Sequence, residues 1–259
     1  MTADALVIID SQNDFCDKKG SLYVEGAEED IARLSDYIKR ENINGIFASL
    51  DSHDVAAVFH PAFWINDAGE HPASFTCITH DAFESGEWKV VAGKNMPFAL
   101  RTFRAMRAKS IPGVTIWPEH CVVSTWGHQI AAPLLDAIAH WREKTGLSVR
   151  YIFKGENPYT DQFSIFEGVD DSYPETSFNN ALFNRLSSFD TVTFAGEALS
   201  HCVQESVLSY MRRLCVPQTV RLLTDCASPV SGFDKKESLD RLGQCGVEFI
   251  TSAAPRPFL

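Results

Sequence analysis

Two side chains of types that bind metal ions stand two residues apart at Asp51-Ser52-His53, where an apolar, strand-like run ends. Residues i and i+2 of an extended backbone point to the same side, so both side chains can reach one ion. A carboxylate oxygen together with an imidazole nitrogen suits zinc, iron or manganese. His120 follows another apolar run and is the candidate third ligand. The alternative is that Asp51 and His53 only cap a strand and that His120 lies in a loop.

Cys202 follows a third apolar run and stands at the start of a helical pattern of apolar residues. A cysteine in the first turn of a helix is exposed to the positive end of the helix dipole, which lowers the pKa of its thiol and favours the nucleophilic thiolate. The free backbone N–H groups of such a turn can also hold an oxyanion. An inert, buried cysteine is the alternative. The seven cysteines are an odd number without a Cys-x-x-Cys pair, so most are expected to be reduced thiols.

Asp10 and Lys154 also end strand-like runs. A lysine in that position faces a sheet and a cleft, and beside a thiolate and a carboxylate it would stabilise both anions. A surface lysine is the alternative. Because active sites of doubly wound sheets form at the carboxyl ends of the strands, Asp10 and Lys154 are predicted to meet Asp51 and Cys202 at one edge of the sheet.

The elements that must position these residues alternate along the chain, with short β-branched and apolar runs followed by helix-patterned segments. Strands are predicted at 5–10, 45–51, 114–117, 148–154, 191–195, 219–223 and 247–250, and helices at 27–40, 96–109, 128–144, 176–187, 201–214 and 234–243. This order predicts an α/β protein, a three-layer doubly wound fold with a mostly parallel sheet of about six strands. A chain of 259 residues can form one large core, so a single domain over 1–259 is predicted.

The segment 55–96 fits the alternation poorly, because turn-forming residues surround His60 and His71. Long ordered loops are commonly functional, so we interpret this segment as an insertion within the domain that could serve as a lid. His60 and His71 either complete the shell of metal ligands or line the insertion, and we favour the second interpretation.

The composition excludes several kinds of partner. Asp and Glu number 34 against 23 Lys and Arg, and no basic run occurs, so nucleic acid is not expected to bind. No apolar stretch of about 18 residues and no secretory leader is found, which predicts a soluble, cytoplasmic protein without a membrane partner.

Six motifs occur in order along the chain. They are Asp10-Ser11-Gln12-Asn13-Asp14-Phe15, followed by Gly20-Ser21-Leu22 and Gly26-Ala27; Asp51-Ser52-His53; Trp117-Pro118-Glu119-His120-Cys121-Val122; Lys154-Gly155 with Ser164-Ile165-Phe166; Gly196 to Val203; and Asp225-Cys226-Ala227. Together they resemble the isochorismatase-like cysteine hydrolases and, within that superfamily, the nicotinamidases. The resemblance runs from Ala5 to about Val247, interrupted chiefly by the insertion.

The resemblance implies a metal-assisted cysteine amidohydrolase that converts nicotinamide to nicotinate and ammonia through a thioester, as in pyridine nucleotide salvage and NAD metabolism. It implies a catalytic triad of Asp10, Lys154 and Cys202. In such a triad Asp10 moves the proton, Cys202 attacks the carboxamide carbon and Lys154 stabilises the anions. Members of the family are often oligomeric, so a homo-oligomer is an expectation.

The resemblance also assigns the metal and the walls of the substrate site. Asp51, His53 and His120 would hold a divalent transition metal, with zinc favoured and iron or manganese as alternatives. In nicotinamidases the metal binds the pyridine nitrogen and orients the ring, which leaves Phe15 and Trp117 as walls that pack against the ring.

The oxyanion hole implied by the resemblance is formed by the amides of Ala198 and Cys202, with a cis peptide at Glu197-Ala198. Two residues depart from the family pattern: Phe163 stands where Tyr is common, and Glu197 stands where an apolar residue is usual. Both changes could reshape the pocket and so alter the substrate. Two alternatives to a nicotinamidase are open. One is a hydrolase of the same fold that acts on another small amide, an N-carbamoyl compound or a vinyl ether. The other is a non-catalytic redox-sensing or binding module in which Cys202 is a sensor thiol.

Overall fold

Parallel strands form the centre of the protein, which is described here by a computed structural model over residues 3–253. The strands are β1 (Asp4–Ile9), β2 (Gly45–Asp51), β3 (Trp64–Ile65), β4 (Cys77–Thr79), β5 (Lys89–Val90), β6 (Gly113–Thr115), β7 (Arg150–Lys154), β8 (Thr191–Gly196), β9 (Thr219–Leu223) and β10 (Glu248–Ile250). The main sheet has six strands in the order β10-β9-β8-β1-β2-β7, and every neighbouring pair is parallel.

The central strand β1 is buried on both faces, as its continuous apolar run predicts. Leu6 and Ile8 belong to the hydrophobic cluster on one side of the sheet, whereas Val7 and Ile9 belong to the cluster on the other side. This division follows from the alternation of side chains along a strand. The sheet is therefore the middle of three layers.

Helices cover both faces. They are α1 (Asn13–Cys16), α2 (Ala27–Arg40), α3 (His80–Glu84), α4 (Met96–Ala108), α5 (Ala132–Thr145), α6 (Asn180–Leu186), α7 (Gln204–Arg213) and α8 (Lys235–Gln244). Helices α2 and α5 pack against each other on one face. Apolar residues of α6, α7 and α8 contribute to the cluster on the other face. The predicted three-layer α/β fold is thus confirmed.

One predicted strand lies outside the main sheet. The run at 114–117 forms β6, which pairs antiparallel with β4 of the insertion, so its assignment to the central sheet was wrong. The insertion itself is built from short elements, and β3 pairs with β5 within it. Its Trp64 is fully buried in the same hydrophobic cluster as Leu6 and Ile8. The single-domain organisation stays a prediction. Within residues 3–253 no helix is both long enough and apolar enough to cross a membrane.

Candidate active site

The candidate residues stand at the carboxyl ends of four adjacent strands. Asp51 and Lys154 are the last residues of β2 and β7 and are partners in the strand register. Asp10 directly follows β1 and adopts a φ of 41°. Gly196, the last residue of β8, pairs with Ile9 and begins the loop that leads to Cys202. Parallel pairing therefore brings together residues that are as much as 192 positions apart in the sequence.

Lys154 lies at the centre of this group and is only 2% exposed. Its Nζ lies 2.9 Å from Asp10 Oδ2, 2.7 Å from Asp51 Oδ1 and 3.5 Å from Cys202 Sγ. It also donates to Gln162 O at 3.1 Å. An oxygen of Asp10 and one of Asp51 lie within 4.8 Å of the Cys202 sulfur. The ammonium is thus positioned to interact with a carboxylate, with a potential thiolate and with the neighbouring metal-ligand group.

Burial sets the charges of this group. It disfavours the charged form of Lys154, but Asp10 and Asp51 outweigh this effect and raise the pKa of Lys154 well above its usual value. Burial also raises the pKa of Asp10, although Lys154 opposes the change. In the same way, burial raises the pKa of the Cys202 thiol well above its usual value, and the attraction of Lys154 does not compensate. The prediction that the pKa of Cys202 is lowered was therefore wrong. A raised pKa favours the protonated thiol, so a base is needed to form the thiolate.

Asp51, His53 and His120 form a cluster of ligand-type atoms that all lie within 4.8 Å of one another. His53 Nδ1 lies 3.1 Å from Gly155 O, and His120 Nδ1 lies 2.7 Å from Pro118 O. A carbonyl oxygen only accepts hydrogen bonds, so each Nδ1 carries a proton, and in the neutral ring each Nε2 presents a lone pair.

These lone pairs face an acceptor. The Nε2 atoms of His53 and His120 lie 2.9 Å and 3.7 Å from Asp51 Oδ2. Three buried acceptors that converge in this way are satisfied by a cation, and carbonyl oxygens behind the imidazoles are the usual means of orienting metal-bound histidines. The residues present fit a divalent metal ion.

Several residues hold the cluster in place. Gln12 brackets Asp51, because its side-chain amide donates to Asp51 O at 2.8 Å and accepts from Asp51 N at 2.7 Å. Asp14 accepts a hydrogen bond from the amide of Cys121 at 2.7 Å, next to His120. Both residues belong to the first sequence motif, yet the sequence alone did not reveal their positioning roles, since each contact spans at least 39 residues.

His60 and His71 differ in their relation to the cluster. His60 Nε2 lies 3.4 Å from His120 Nδ1, on the side of the imidazole away from Asp51. Burial lowers the pKa of His60 to about 3, and His120 and His53 add to the effect. His71 Nδ1 instead lies 2.6 Å from Trp64 O within the insertion. His71 therefore lines the insertion as favoured from the sequence, whereas His60 stands behind a candidate ligand.

The loop after β8 places Ala198 beside Cys202 at the wall of the pocket. The peptide between Glu197 and Ala198 is cis, as the resemblance implied. The amides of Glu197 and Leu199 are paired, with Ile9 O and Ser228 O respectively, each at 2.8 Å. Cys202 lies in the wide helical turn Leu199–Val203, directly before α7.

The three candidate metal ligands, Ala198 and Cys202 open on one pocket. Phe15 and Trp117, the predicted walls, both line it. Phe163, which stands where the family commonly has Tyr, lines it as well. So do residues that the sequence did not single out: Leu22, Phe59, Asp161, Gln162, His201 and Val230. Burial raises the pKa of Asp161, which lines the pocket, to about 7. The position of His201 next to Cys202 was the available signal for that residue.

No protein-family model matches the chain. A nicotinamidase/pyrazinamidase of Mycobacterium tuberculosis is 28% identical over 251 residues, which cover 96% of this chain and 99% of that protein. Among solved structures, the yeast nicotinamidase bound to the inhibitor nicotinaldehyde has a TM-score of 0.69 at 20% identity, with 96% of this chain and 99% of that chain covered. A pyrazinamidase of Pyrococcus horikoshii in complex with zinc has a TM-score of 0.57 at 20% identity, over 96% of this chain and 98% of that chain.

The similarity in sequence extends over nearly the whole length of the mycobacterial relative, and the similarity in fold extends over nearly the whole of both solved structures. The chain is therefore similar in sequence and in fold, over nearly its whole length, to proteins named nicotinamidase or pyrazinamidase.

Proposed function

We propose that this protein hydrolyses nicotinamide to nicotinate and ammonia, with Cys202 as the nucleophile and with a divalent metal ion held by Asp51, His53 and His120. One observation carries the proposal: the buried ammonium of Lys154 contacts the candidate base Asp10, and it also contacts Cys202 and Asp51, which line one pocket together with the other candidate metal ligands. The relatives named nicotinamidase support the choice of substrate.

Asp10 begins the reaction by taking the proton of the Cys202 thiol. Its raised pKa makes the carboxylate a stronger base, and Ser49 holds it in place by donating to Oδ1 at 2.6 Å. The sulfur attacks the carboxamide carbon, and the amides of Ala198 and Cys202 stabilise the negative oxygen. When the C–N bond breaks, the proton on Asp10 passes to the leaving nitrogen and ammonia departs.

The thioester is hydrolysed by the same groups in reverse order. Asp10, again ionised, takes a proton from a water molecule, and the resulting hydroxide attacks the thioester carbon. The C–S bond breaks, nicotinic acid leaves and loses its proton to the solvent to become nicotinate, and the proton on Asp10 returns to the sulfur. Lys154 remains charged throughout and offsets whichever of Asp10 and Cys202 is negative.

A divalent ion at Asp51, His53 and His120 would supply a Lewis acid that binds the ring nitrogen of a pyridine. Phe15 and Trp117 would pack against the ring and exclude water from the pocket. The zinc complex of the archaeal pyrazinamidase supports zinc at this cluster, with iron and manganese as alternatives.

Ammonia and nicotinate formation from nicotinamide, measured before and after loading with zinc, manganese or iron, tests the proposal. We expect turnover with about one metal ion bound per chain, and loss of turnover in Cys202→Ala. Cys226→Ala is the matched control, because Cys226 is buried but lies outside the pocket lining. Absence of turnover from metal-loaded protein would refute the proposed substrate.

The same assay distinguishes the alternatives. Ammonia release from another carboxamide or from an N-carbamoyl compound, without turnover of nicotinamide, would favour a hydrolase with a different substrate. Labelling of Cys202 by iodoacetamide that nicotinamide does not slow, together with no turnover of any amide, would favour a sensor or binding module.

A further inference from the structure

Two buried carboxyl groups that the mechanism does not use lie side by side behind the oxyanion loop. Glu197, directly before Ala198, is 0% exposed, and Asp30 on α2 is 2% exposed. The two side chains are within hydrogen-bonding reach of each other. Glu197 Oε2 accepts from Ser228 N at 3.2 Å. In the part of the chain that the structure describes, Glu197 Oε1 and Asp30 Oδ2 are buried without a donor.

We propose that Glu197 and Asp30 share one proton, and that the resulting hydrogen bond anchors the oxyanion loop to α2. Glu197 is then a positioning residue that acts through Ala198. Two adjacent buried carboxylates would repel each other and would each leave one oxygen, Glu197 Oε1 or Asp30 Oδ2, without a donor. One shared proton lets one of the carboxyl groups donate a hydrogen bond that the other accepts. The positioning role depends on the proposed function, but the shared proton does not.

The surrounding charges assign the proton to Glu197. Arg33 on α2 pairs with Asp30 Oδ1 at 2.5 Å and also donates to Asp225 O, so Asp30 has a fixed cation beside it, whereas Glu197 has none at hydrogen-bonding distance among residues 3–253. Burial and then Asp30 raise the pKa of Glu197 well above its usual value. Lys235, on α8, opposes this rise, but its ammonium donates to Ala227 O.

Two thiols also face the pair. Burial raises the pKa of Cys16 well above its usual value and raises that of Cys226, so both are neutral and add no charge. Arg33 and Lys235 are therefore the cations near the pair among residues 3–253, and both are engaged with other groups as well.

Hydrogen bonds connect Glu197 to the segments on both sides of the oxyanion loop. Glu197 N donates to Ile9 O, next to Asp10, while the Glu197 carboxyl binds Ser228, whose carbonyl accepts from Leu199 N. Ala198 is thus held between two fixed residues. A chain with an apolar residue at 197 would keep the backbone contacts but would lose both the link to α2 and the bond to Ser228.

Infrared difference spectroscopy tests the shared proton directly. The spectrum of the wild type minus that of Glu197→Gln, at neutral pH, should contain the C=O band of a protonated carboxylic acid. Asp170→Asn is the matched control, because Asp170 is a buried carboxyl paired with Arg101 and hydrogen bonds lower its pKa despite the opposing effect of burial. Apart from the amide bands of the new side chain, its difference spectrum should contain carboxylate bands and no carboxylic acid band. A Glu197 spectrum with carboxylate bands and no carboxylic acid band would overturn the proposal.

Kinetics tests the positioning role. Glu197→Val should lower kcat for nicotinamide by about tenfold or more with little change in KM, because an oxyanion hole acts on the transition state. Glu197→Gln should restore most of kcat, since its amide can donate to Asp30 and accept from Ser228. Equal losses in both variants, or a loss confined to KM, would overturn the positioning role. If the wild type does not hydrolyse nicotinamide, the proposed function fails while the infrared test still decides the shared proton.

Discussion

Gly155 offers a sharp test of the metal cluster, because this residue has no room for a side chain. A Cβ atom at position 155 would lie 2.3 Å from His53 Cε1, 2.7 Å from His53 Nδ1 and 2.9 Å from Asp51 Oδ1. Distances under 3.0 Å are not tolerated by real Cβ atoms. In Gly155→Ala the His53 ring must therefore move by about 1 Å to reach ordinary contact, and shifts of this size can cost about 100-fold in function.

Gly155→Ala is expected to weaken metal binding. His53 would lose the alignment of its Nδ1 with Gly155 O, and disturbing such a supporting contact typically weakens metal binding by about 10–100-fold. This range corresponds to about 1.4–2.8 kcal/mol. Separately, alanine at the positive φ of 74° should destabilise the fold by about 1–2 kcal/mol.

Gly69→Ala is the matched control, because Gly69 also has a positive φ, of 82°, but nothing lies within 4 Å of an added Cβ. Competition between each protein and a chromophoric chelator measures zinc affinity, and thermal unfolding measures stability. Both variants should lose several degrees in Tm, but only Gly155→Ala should lose zinc affinity. Zinc affinities of the two variants within about threefold of each other would refute the placement of His53 as a ligand.

Three further predictions concern single residues. Lys154→Met should lower the free energy of unfolding of metal-free protein by about 3 kcal/mol in urea titrations, because it leaves two buried carboxylates without their cation. The exposed Lys236→Met should change it by less than about 0.5 kcal/mol, and equal effects would contradict the central role of Lys154. Burial lowers the pKa of His201 from 6.5 to about 4, so between these pH values the unfolded chain binds a proton that the folded chain does not bind. The stability of the wild type relative to His201→Gln should therefore fall as pH decreases from about 6.5 to about 4. A constant difference between the urea midpoints of the two proteins across this pH range would contradict the prediction. His120→Ala should reduce bound zinc from about one ion per chain to none in metal analysis, while iodoacetamide still labels Cys202; retained zinc would remove His120 from the ligand set.

Much of the fold can be predicted from the local sequence, because the pattern of apolar residues is a property of short segments. The continuous apolar run of β1 predicts a strand buried on both faces, and Leu6 and Val7 do face opposite layers. The run that forms β6 has the same local character, yet it pairs with the insertion. Pairing partners are chosen by long-range packing, so the sequence could predict the strand but not the sheet to which it belongs.

The sequence by itself determined which residues stand at strand ends, and so which of them could meet: Asp10, Asp51, Lys154 and Cys202 all follow or end apolar runs. Only the tertiary structure decided their chemical states. A helix start suggests an acidic thiol, but burial raises the pKa of Cys202 and so favours the protonated thiol. The sequence showed Glu197 only as an acid where an apolar residue is usual, and the tertiary structure places Asp30 of α2 beside it. Residue type and position are local, whereas burial and charged neighbours come from segments far away in the sequence, and these fix where each proton resides.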